Sequence, residues 1–311
     1  MQFCFTIYTL LPMDIGRLEV LRELRLRGSV TAVARATHRT PSAVSQQLKT
    51  LEREVGAPLT EREGRGLVLT PAGDALAQAA ADVVVAMARA EETWRSYLAG
   101  PEGRVDLATF PTAGRMFLPG LLLAARATPG LEVMAADVDP VHADFAAIVP
   151  DFDVVLAHSV GPAPSWDDRD LIQVHLVDEP LDVALPVGHP LADRDAVTPA
   201  EIAQEPWIGV PDDFPYERLH QEIERVAGTV LRIVQRFSDT RVTESLVAAG
   251  LGLAVLPRFT SGAEGSGVVL RPLAQLAPTR RIAALLRRET AERPSVRLVL
   301  DHLRSIAADL G

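Results

Sequence analysis

A polar segment near the N-terminus carries side chains suited to reading nucleic acid. The apolar residues at helical spacing are Val44, Leu48, Leu51 and Val55. They predict one buried stripe on a helix. The polar residues on its other faces are Ser42, Ser45, Gln46, Lys49 and Arg53. Because hydroxyls and amides bond base edges while cations neutralise phosphates, the pattern favours a helix that enters the major groove, although a solvated charged face has the same composition.

The side chains that suggest catalysis are scattered through the rest of the chain. His189, Asp213 and His220 lie in two polar segments, but no nucleophile motif, metal-spaced pair or glycine-rich phosphate loop accompanies them. The segment GRGLVLTPAG lacks the glycine spacing of a dinucleotide site. We therefore predict no enzyme activity, no metal site and no cofactor.

Local signals predict the elements that position the polar segment. Apolar residues recur at helical spacing from 15 to 26 and end at Gly28, and a second short helix follows Ser29 or Thr31. The polar segment itself reads as a helix over 41–55, with Thr40 as cap, Pro41 at the first position and Gly56 just past the end. The following LTEREGRGLVLT predicts a two-stranded wing.

A long helix is predicted from residue 71 to about residue 98. Its apolar residues at heptad spacing are Leu76, Ala80, Val83, Met87, Ala90 and Trp94. A seam of this kind favours pairing with a second copy of the chain, because an exposed apolar stripe needs a partner. The alternative is a helix that packs on its own domain.

Beyond Gly100 and Pro101, short apolar runs alternate with helical patterns. This alternation predicts an α/β domain of open, largely parallel sheets covered by helices. In such sheets, ligands bind beyond the carboxyl ends of the strands, where helix N-termini offer free amides.

Charge divides the chain into unlike parts. Residues 13–70 carry a net charge of +3, and residues 71–311 carry −13, so only the first part suits a phosphate backbone. The single Cys4 leaves no partner for a disulfide and fits a reducing cytoplasm. The apolar opening of about ten residues is too short to span a membrane. We expect residues 1–12 to be a tail, or translation to start at Met13.

The N-terminal region resembles the LysR type of bacterial transcription regulators. The resemblance lies in GSVTAVARATHRTPSAVSQQLKTLEREVGAPL, followed by GLVLTPAG, and covers about sixty residues with nearly unbroken spacing. Departures are Thr37 and Arg39, where the family usually has apolar residues, and Thr60, where its wing usually has Leu or Phe. These departures predict looser packing under the recognition helix or the wing.

The resemblance implies an N-terminal winged helix-turn-helix and a set of DNA-binding residues. By matching position, the base-facing residues are Pro41, Ser42, Ser45 and Gln46, and the cations near the backbone are Lys49, Arg53, Arg62 and Arg65. Arg53 has an alternative role, pairing with a neighbouring carboxylate. The family also implies dimerisation, with pairing of dimers into tetramers.

The resemblance further implies a C-terminal effector-binding domain of two Rossmann-like subdomains, like those of periplasmic binding proteins. We expect the DNA-binding domain over 13–70, the linker helix over 71–99 and the effector-binding domain over 103–311. Its first subdomain is expected over 103–159 and 272–311, and its second over 160–271. An architectural DNA-binding protein without a ligand is the remaining alternative.

The effector is expected between the two subdomains. The residues at inferred strand ends that face this cleft are Phe110, Thr112, Ala113, Asp139, Val210, Asp212, Phe214, Asp239 and Thr240. Thr112 and Thr240 with nearby backbone amides suit an anion, and because the domain is acidic overall, local groups rather than bulk charge must select it. A small carboxylate is therefore our first expectation for the effector. Alternatively, Thr112 and Asp239 are only helix caps.

Overall fold

The computed structural model describes most of the chain. The described residues are 13–63, 66–99, 103–138, 144–161, 166, 171–212, 214 and 216–310. Residues 1–12, including Cys4, lie outside them, so the expectation of a tail has no structural outcome. Within the described ranges, no helix has the length and apolar character that crossing a membrane requires.

Three helices build the N-terminal domain. They are α1 (Ile15–Arg27), α2 (Val30–Ala36) and α3 (Pro41–Val55). Each begins at a side-chain cap, because Asp14, Ser29 and Thr40 accept hydrogen bonds from the first-turn amides. The helices share one core with the next long helix, and its fully buried members include Leu21, Val33, Val44 and Leu51.

A two-stranded wing follows α3. Strands β1 (Thr60–Glu63) and β2 (Gly66–Leu69) pair antiparallel. The carboxylate of Glu52 on α3 accepts hydrogen bonds from the amides of Leu59 and Thr60 and from the Thr60 hydroxyl. Thr60, a departure from the family pattern, therefore anchors the wing to α3.

Helix α4 (Pro71–Ala99) leaves the wing at a close approach. A Cβ atom on Gly73 would lie 2.0 Å from the carbonyl oxygen of Leu59, so only glycine fits there. The expected dimer seam on α4 divides in two. Ala80 is buried in the N-terminal core and Leu76 packs against that core, so these two residues face their own domain.

The rest of the seam is exposed. Val83, Met87, Ala90 and Trp94 all lie on the accessible surface of α4, where Trp94 is 63% exposed. The expected dimer surface is therefore corrected to begin at Val83, because the preceding residues are already covered within the chain.

The first subdomain has a five-stranded sheet in the order β6–β11–β5–β3–β4. Its strands are β3 (Gly103–Thr109), β4 (Leu131–Asp137), β5 (Val154–Val160), β11 (Thr279–Arg287) and the first half of β6 (Leu171–Pro186). Helices α5 (Pro111–Ala127), α6 (Phe145–Ile148) and α10 (Pro294–Ala308) join this subdomain, with one-turn 3-10 helices at Val149–Asp151 and Thr290–Glu292.

The second subdomain contains the other half of β6. Its elements are α7 (Pro199–Ile202), β7 (Pro206–Gly209), α8 (Glu217–Ala227), β8 (Arg232–Arg236), α9 (Thr240–Ala248), β9 (Ala254–Pro257) and β10 (Val268–Arg271). β9 and β10 flank β6, β7 pairs with β8, and Trp207 bridges to Leu253 beside β9. Each subdomain has its own apolar core.

The sheets are mixed rather than largely parallel. β3 runs parallel to β4 and β5, and β7 runs parallel to β8, as expected. Strands β6 and β11 introduce antiparallel pairing, because β11 runs against β5 and β6, and β9 and β10 run against β6. The sequence patterns gave no sign of β10 or β11.

The chain crosses between subdomains near Pro180 and Pro278, not near 160 and 272 as expected. Glu179 pairs with Arg280 in the first sheet, whereas Leu181 pairs with Pro257 in the second. The Leu181 amide donates to the Pro278 carbonyl at 2.9 Å, so the two crossings lie side by side. The boundary shifts because β6 is one strand of 16 residues that belongs to both sheets.

Candidate functional site

The exposed face of α3 forms the first candidate site. Pro41, Ser42, Gln46 and Lys49 are exposed and Ser45 is half-buried, while Val44, Leu48 and Leu51 point into the core. The Ser42 hydroxyl lies 3.0 Å from the Thr40 hydroxyl. The helix therefore presents hydroxyl, amide and ammonium groups on one face, and its opposite, apolar face packs into the core.

The flanking cations differ in their surroundings. Arg53 is exposed and donates to the Lys49 carbonyl and the Thr50 hydroxyl of its own helix, rather than to a carboxylate. Arg62 lies exposed on β1 of the wing, next to the exposed Glu61. Arg65 lies outside the described residues.

The second candidate site is a cleft of about 800 Å³ between the two subdomains. The ends of β3, β4 and β7 and the starts of α5 and α9 open onto it. Its apolar walls include Phe110, Leu118, Leu122, Phe214 and Phe237. The volume lies in the range of pockets that enclose most of a small ligand.

Arg280 is the central polar group of this cleft. It stands at the start of β11, is 2% exposed, and donates through Nε to Glu179 at 2.7 Å. Its Nη2 donates to the Thr112 hydroxyl of the first subdomain at 2.8 Å, and its Nη1 donates to the Tyr216 hydroxyl of the second at 3.0 Å. One guanidinium therefore joins both subdomains, and Glu179 neutralises it.

His158 lies beside this group. Its ring is buried against Phe110, with ring centroids 4.6 Å apart, and near Phe145 and Tyr216. Burial, reinforced by the Arg280 charge, lowers the pKa of His158 to about 3, so the imidazole is neutral at physiological pH. Among the described residues, nothing accepts from or donates to its Nδ1.

A second histidine lies at the cleft wall. His220 of α8 packs against Trp207, with ring centroids 6.0 Å apart. Burial, with a smaller effect of the Arg236 charge, lowers its pKa to about 4. The cleft thus holds two neutral imidazoles. The positive charge of Arg280, its buried cation, is balanced by the Glu179 carboxylate.

The helix starts at the cleft differ in their capping. Asp239 caps α9 by accepting from the amides of Arg241 and Val242. Helix α5 begins at Pro111 and has Phe110 as cap residue, which forms no side-chain capping bond. Thr112 lies in the first turn of α5 and accepts from Arg280, so it is not a cap. The helix starts at Pro111, so Thr112 is its second residue.

The cleft contains six of the nine residues expected from the sequence. Those that line it are Phe110, Thr112, Val210, Phe214, Asp239 and Thr240. Ala113 is fully buried in the first core and does not reach the cleft, because helix geometry turns it away from Thr112. Asp212 is exposed outside the lining, with its carboxylate 3.5 Å from Arg236. Asp139 lies outside the described residues.

Sequence reasoning missed the charged centre of the cleft. Arg280, Glu179 and His158 lie on strands β11, β6 and β5, and their sequence neighbourhoods contain no functional motif. Two adjacent arginines, Arg280 and Arg281, precede the apolar run of β11, and only the first is buried. A strand assignment would have placed the two side chains on opposite faces, which is the one signal available.

Two family profiles match the chain. The profile described as bacterial regulatory helix-turn-helix protein, lysR family, matches residues 15–74, and the one described as LysR substrate binding domain matches residues 98–308. The first match contains α1 to the start of α4, and the second contains both subdomains of the cleft.

Relatives of known description match along most of their length. The transcriptional dual regulator GltC of Bacillus subtilis is 26% identical over 250 residues, covering 80% of this chain and 82% of GltC. The Hca operon transcriptional activator HcaR of Escherichia coli is 27% identical over 288 residues, covering 89% of this chain and 94% of HcaR. The crystal structure of ArgP from Mycobacterium tuberculosis shares the fold with a TM-score of 0.61 at 19% identity, covering 96% of this chain and 98% of ArgP.

Proposed function

Because the chain belongs to the LysR family of bacterial transcriptional regulators, we propose that α3 reads operator DNA and that the cleft around Arg280 binds the effector. The protein is a sequence-specific DNA-binding regulator that responds to a small molecule, and it is not an enzyme. We place it in the bacterial cytoplasm because its operator lies there.

For DNA reading, the proposed base contacts are Ser42, Ser45 and Gln46 with Pro41 at the helix start. Their support is the exposed polar face of α3 over a fully buried apolar stripe. Lys49, Arg53, Arg62 and Arg65 are assigned to the phosphate backbone, where cations add affinity without sequence information.

The effector we propose is a small carboxylate with an apolar body. The observation that carries this assignment is Arg280, which keeps its contact with Glu179 while its Nη1 and Nη2 also donate to two neutral hydroxyls, those of Tyr216 and Thr112. A carboxylate is a stronger acceptor than a hydroxyl and would take over these bonds. The uncapped start of α5 adds partial positive charge at the same place. The aromatic and aliphatic walls suit the rest of the ligand.

Thermal-shift screening of the full chain tests this assignment. The probes are aliphatic and aromatic mono- and dicarboxylates, and we expect at least one to raise the melting temperature, because a ligand of the native state stabilises it. Once the carboxylate has displaced it from Arg280, the Thr112 hydroxyl can donate to the bound ligand, so Thr112→Val should weaken binding of that compound by roughly five- to tenfold through loss of this hydrogen bond. DNA binding without effector should stay intact.

The control variant is Thr128→Val at the opposite end of α5, where the hydroxyl bonds only to the helix carbonyl of Ala124. It should bind the compound like the wild type. If no carboxylate stabilises the chain, the proposed effector class is wrong, and if Thr112→Val responds like the control, the effector site lies elsewhere.

Self-association is proposed through α4. Val83, Met87, Ala90 and Trp94 remain on the exposed surface of this helix after the N-terminal core is built. Apolar side chains at heptad spacing favour a helix pair, so a dimer is the expected unit, and dimers are expected to pair into tetramers through the effector-binding domains.

A further inference from the structure

α1 of the DNA-binding domain contacts the first subdomain of the effector-binding domain through charged side chains. The Glu23 carboxylate accepts from Arg27 at 2.6 Å and from Arg287, the last residue of β11, at 2.8 Å. Arg287 also lies 3.5 Å from Glu289, which accepts from Arg22. These residues alternate in sign and join into one interdomain ion-pair chain: Arg27, Glu23, Arg287, Glu289 and Arg22.

The interdomain ion-pair chain is partly shielded from water. The side chains of Arg22 and Glu289 are 8% and 16% exposed. Arg27 adds bonds to the Asp151 carboxylate at 2.8 Å and to the Pro150 carbonyl at 3.0 Å. A half-buried network of several charges holds its geometry better than an isolated surface pair and is screened less by salt.

Helix α4 extends the same contact. Asp82 lies 3.4 Å from Arg288, and Arg89 donates to Glu292 at 2.8 Å. The segment 287–292 of the effector-binding domain therefore meets both α1 and α4.

The contact leaves the DNA-reading face free. α1 shares the N-terminal core with α3, and Arg17 of α1 forms an ion pair with Glu54 of α3, so the two helices move together. Among the described residues, none of the hydrogen bonds or ion pairs joins α3 to the effector-binding domain, and Gln46 and Lys49 stay exposed. The contact therefore orients α3 without covering it.

We propose that the interdomain ion-pair chain docks the DNA-binding domain onto its own effector-binding domain and fixes the direction of α3. The surface formed by Asp151, Arg287 and Glu289 is thus an interaction surface whose partner is α1 of the same chain. In a dimer, docking sets the distance between the two α3 helices and hence the half-site spacing that the protein accepts. That last step rests on the proposed reading of DNA by paired α3 helices.

Hydrogen exchange on the full chain tests docking without DNA or effector. Glu23→Gln and Arg287→Gln should each raise amide exchange in α1 and in 287–292 by roughly fivefold, because each opens the same contact. The double variant should add little to either single variant, since each substitution already breaks the one link between the domains that Glu23 and Arg287 share. Glu19→Gln, on an exposed face of α1, is the matched control. Exchange equal to that of the control, or additive effects in the double variant, would overturn docking.

The DNA step is measured with selected operator DNA and with the same DNA carrying two extra base pairs between half-sites. The wild type should prefer the original spacing by about tenfold, and the double variant by only about twofold, because undocked domains adapt to either spacing. An unchanged preference in the double variant would overturn the orienting role. If neither protein selects any sequence, the proposed DNA reading fails instead, and the exchange result still decides docking.

Discussion

At the residue scale, the cleft is organised around a cation that the fold itself neutralises. Arg280 faces Glu179, whose second oxygen accepts from the Phe259 amide at 2.8 Å. Removing one partner of such a buried pair leaves an uncompensated charge, which typically costs about 3–5 kcal/mol. A ligand therefore competes with the Thr112 and Tyr216 hydroxyls for Arg280 and does not need to replace Glu179.

The buried His158 predicts a pH-dependent stability. Its pKa is 6.5 when unfolded and about 3 when folded, so between these values the unfolded chain binds more protons. The stabilisation is complete above pH 6.5 and is lost as the pH falls toward 3. From pH 7 to pH 5 the loss attributable to His158 is about 2 kcal/mol. His158→Gln should remove that part of the loss in urea unfolding.

The control for this measurement is His175→Gln, a change at an exposed histidine of β6. It should retain the part of the loss that His158 causes between pH 7 and pH 5. An equal loss in His158→Gln and the control would contradict the burial argument.

Gln46 and Lys49 are expected to contribute differently to DNA binding. Gln46→Ala should relax preference at one base position by roughly 1–3 kcal/mol, because an amide reads a base edge. Lys49→Ala should weaken binding to all sequences alike and reduce the slope of log affinity against log salt by about one unit. Titrations on operator and random DNA at several salt concentrations measure both. Equal losses on the two DNAs for both variants would refute this division of roles.

At the scale of elements, α4 contributes to two different contacts along its length. Its first part closes the N-terminal core, and its exposed seam from Val83 onward is proposed as the dimer contact. Changing Val83 and Met87 together to Asp should give a lighter species in sedimentation, because two charges in the seam oppose pairing. Gln78→Asp, on another exposed face of α4, should leave the mass unchanged. An unchanged mass in the double variant as well would exclude this surface.

The elements that the sequence predicted well carry their own start and stop signals. α3 coincides with its expected range because Thr40, Pro41 and Gly56 mark both ends by local chemistry. Strand β11 was not predicted, because its nine residues follow a segment without strand signals. Its role also depends on pairing with β5 and β6, which are distant in sequence. Arg280 was not predicted as a site residue for the same reason, since a buried arginine can be recognised only when its pairing with Glu179 is known.

At the scale of the whole molecule, the second subdomain is an insertion with adjacent ends. Pro180 and Thr279 lie opposite each other in the antiparallel pair of β6 and β11. Replacing residues 181–278 by Asn-Gly should therefore close a hairpin and leave a first subdomain that unfolds cooperatively in urea, because its core is separate.

The comparison for this deletion is a chain joined by the same Asn-Gly from Glu179 instead of Pro180. The loss of one residue shifts the strand register and turns the following side chains to the wrong face. It should unfold without cooperativity. Non-cooperative unfolding of both chains would show that the first subdomain depends on the second.

The position of β11 also has a consequence for the order of synthesis. It lies between β5 and β6 in the first sheet, yet 118 residues separate it from the end of β5. While the ribosome makes the second subdomain, β5 and β6 each have one unpaired edge. Such edges can pair with other nascent chains. A chain that stalls before β11 is complete is left with an open sheet, so we expect stalled chains of this protein to aggregate more readily than completed ones.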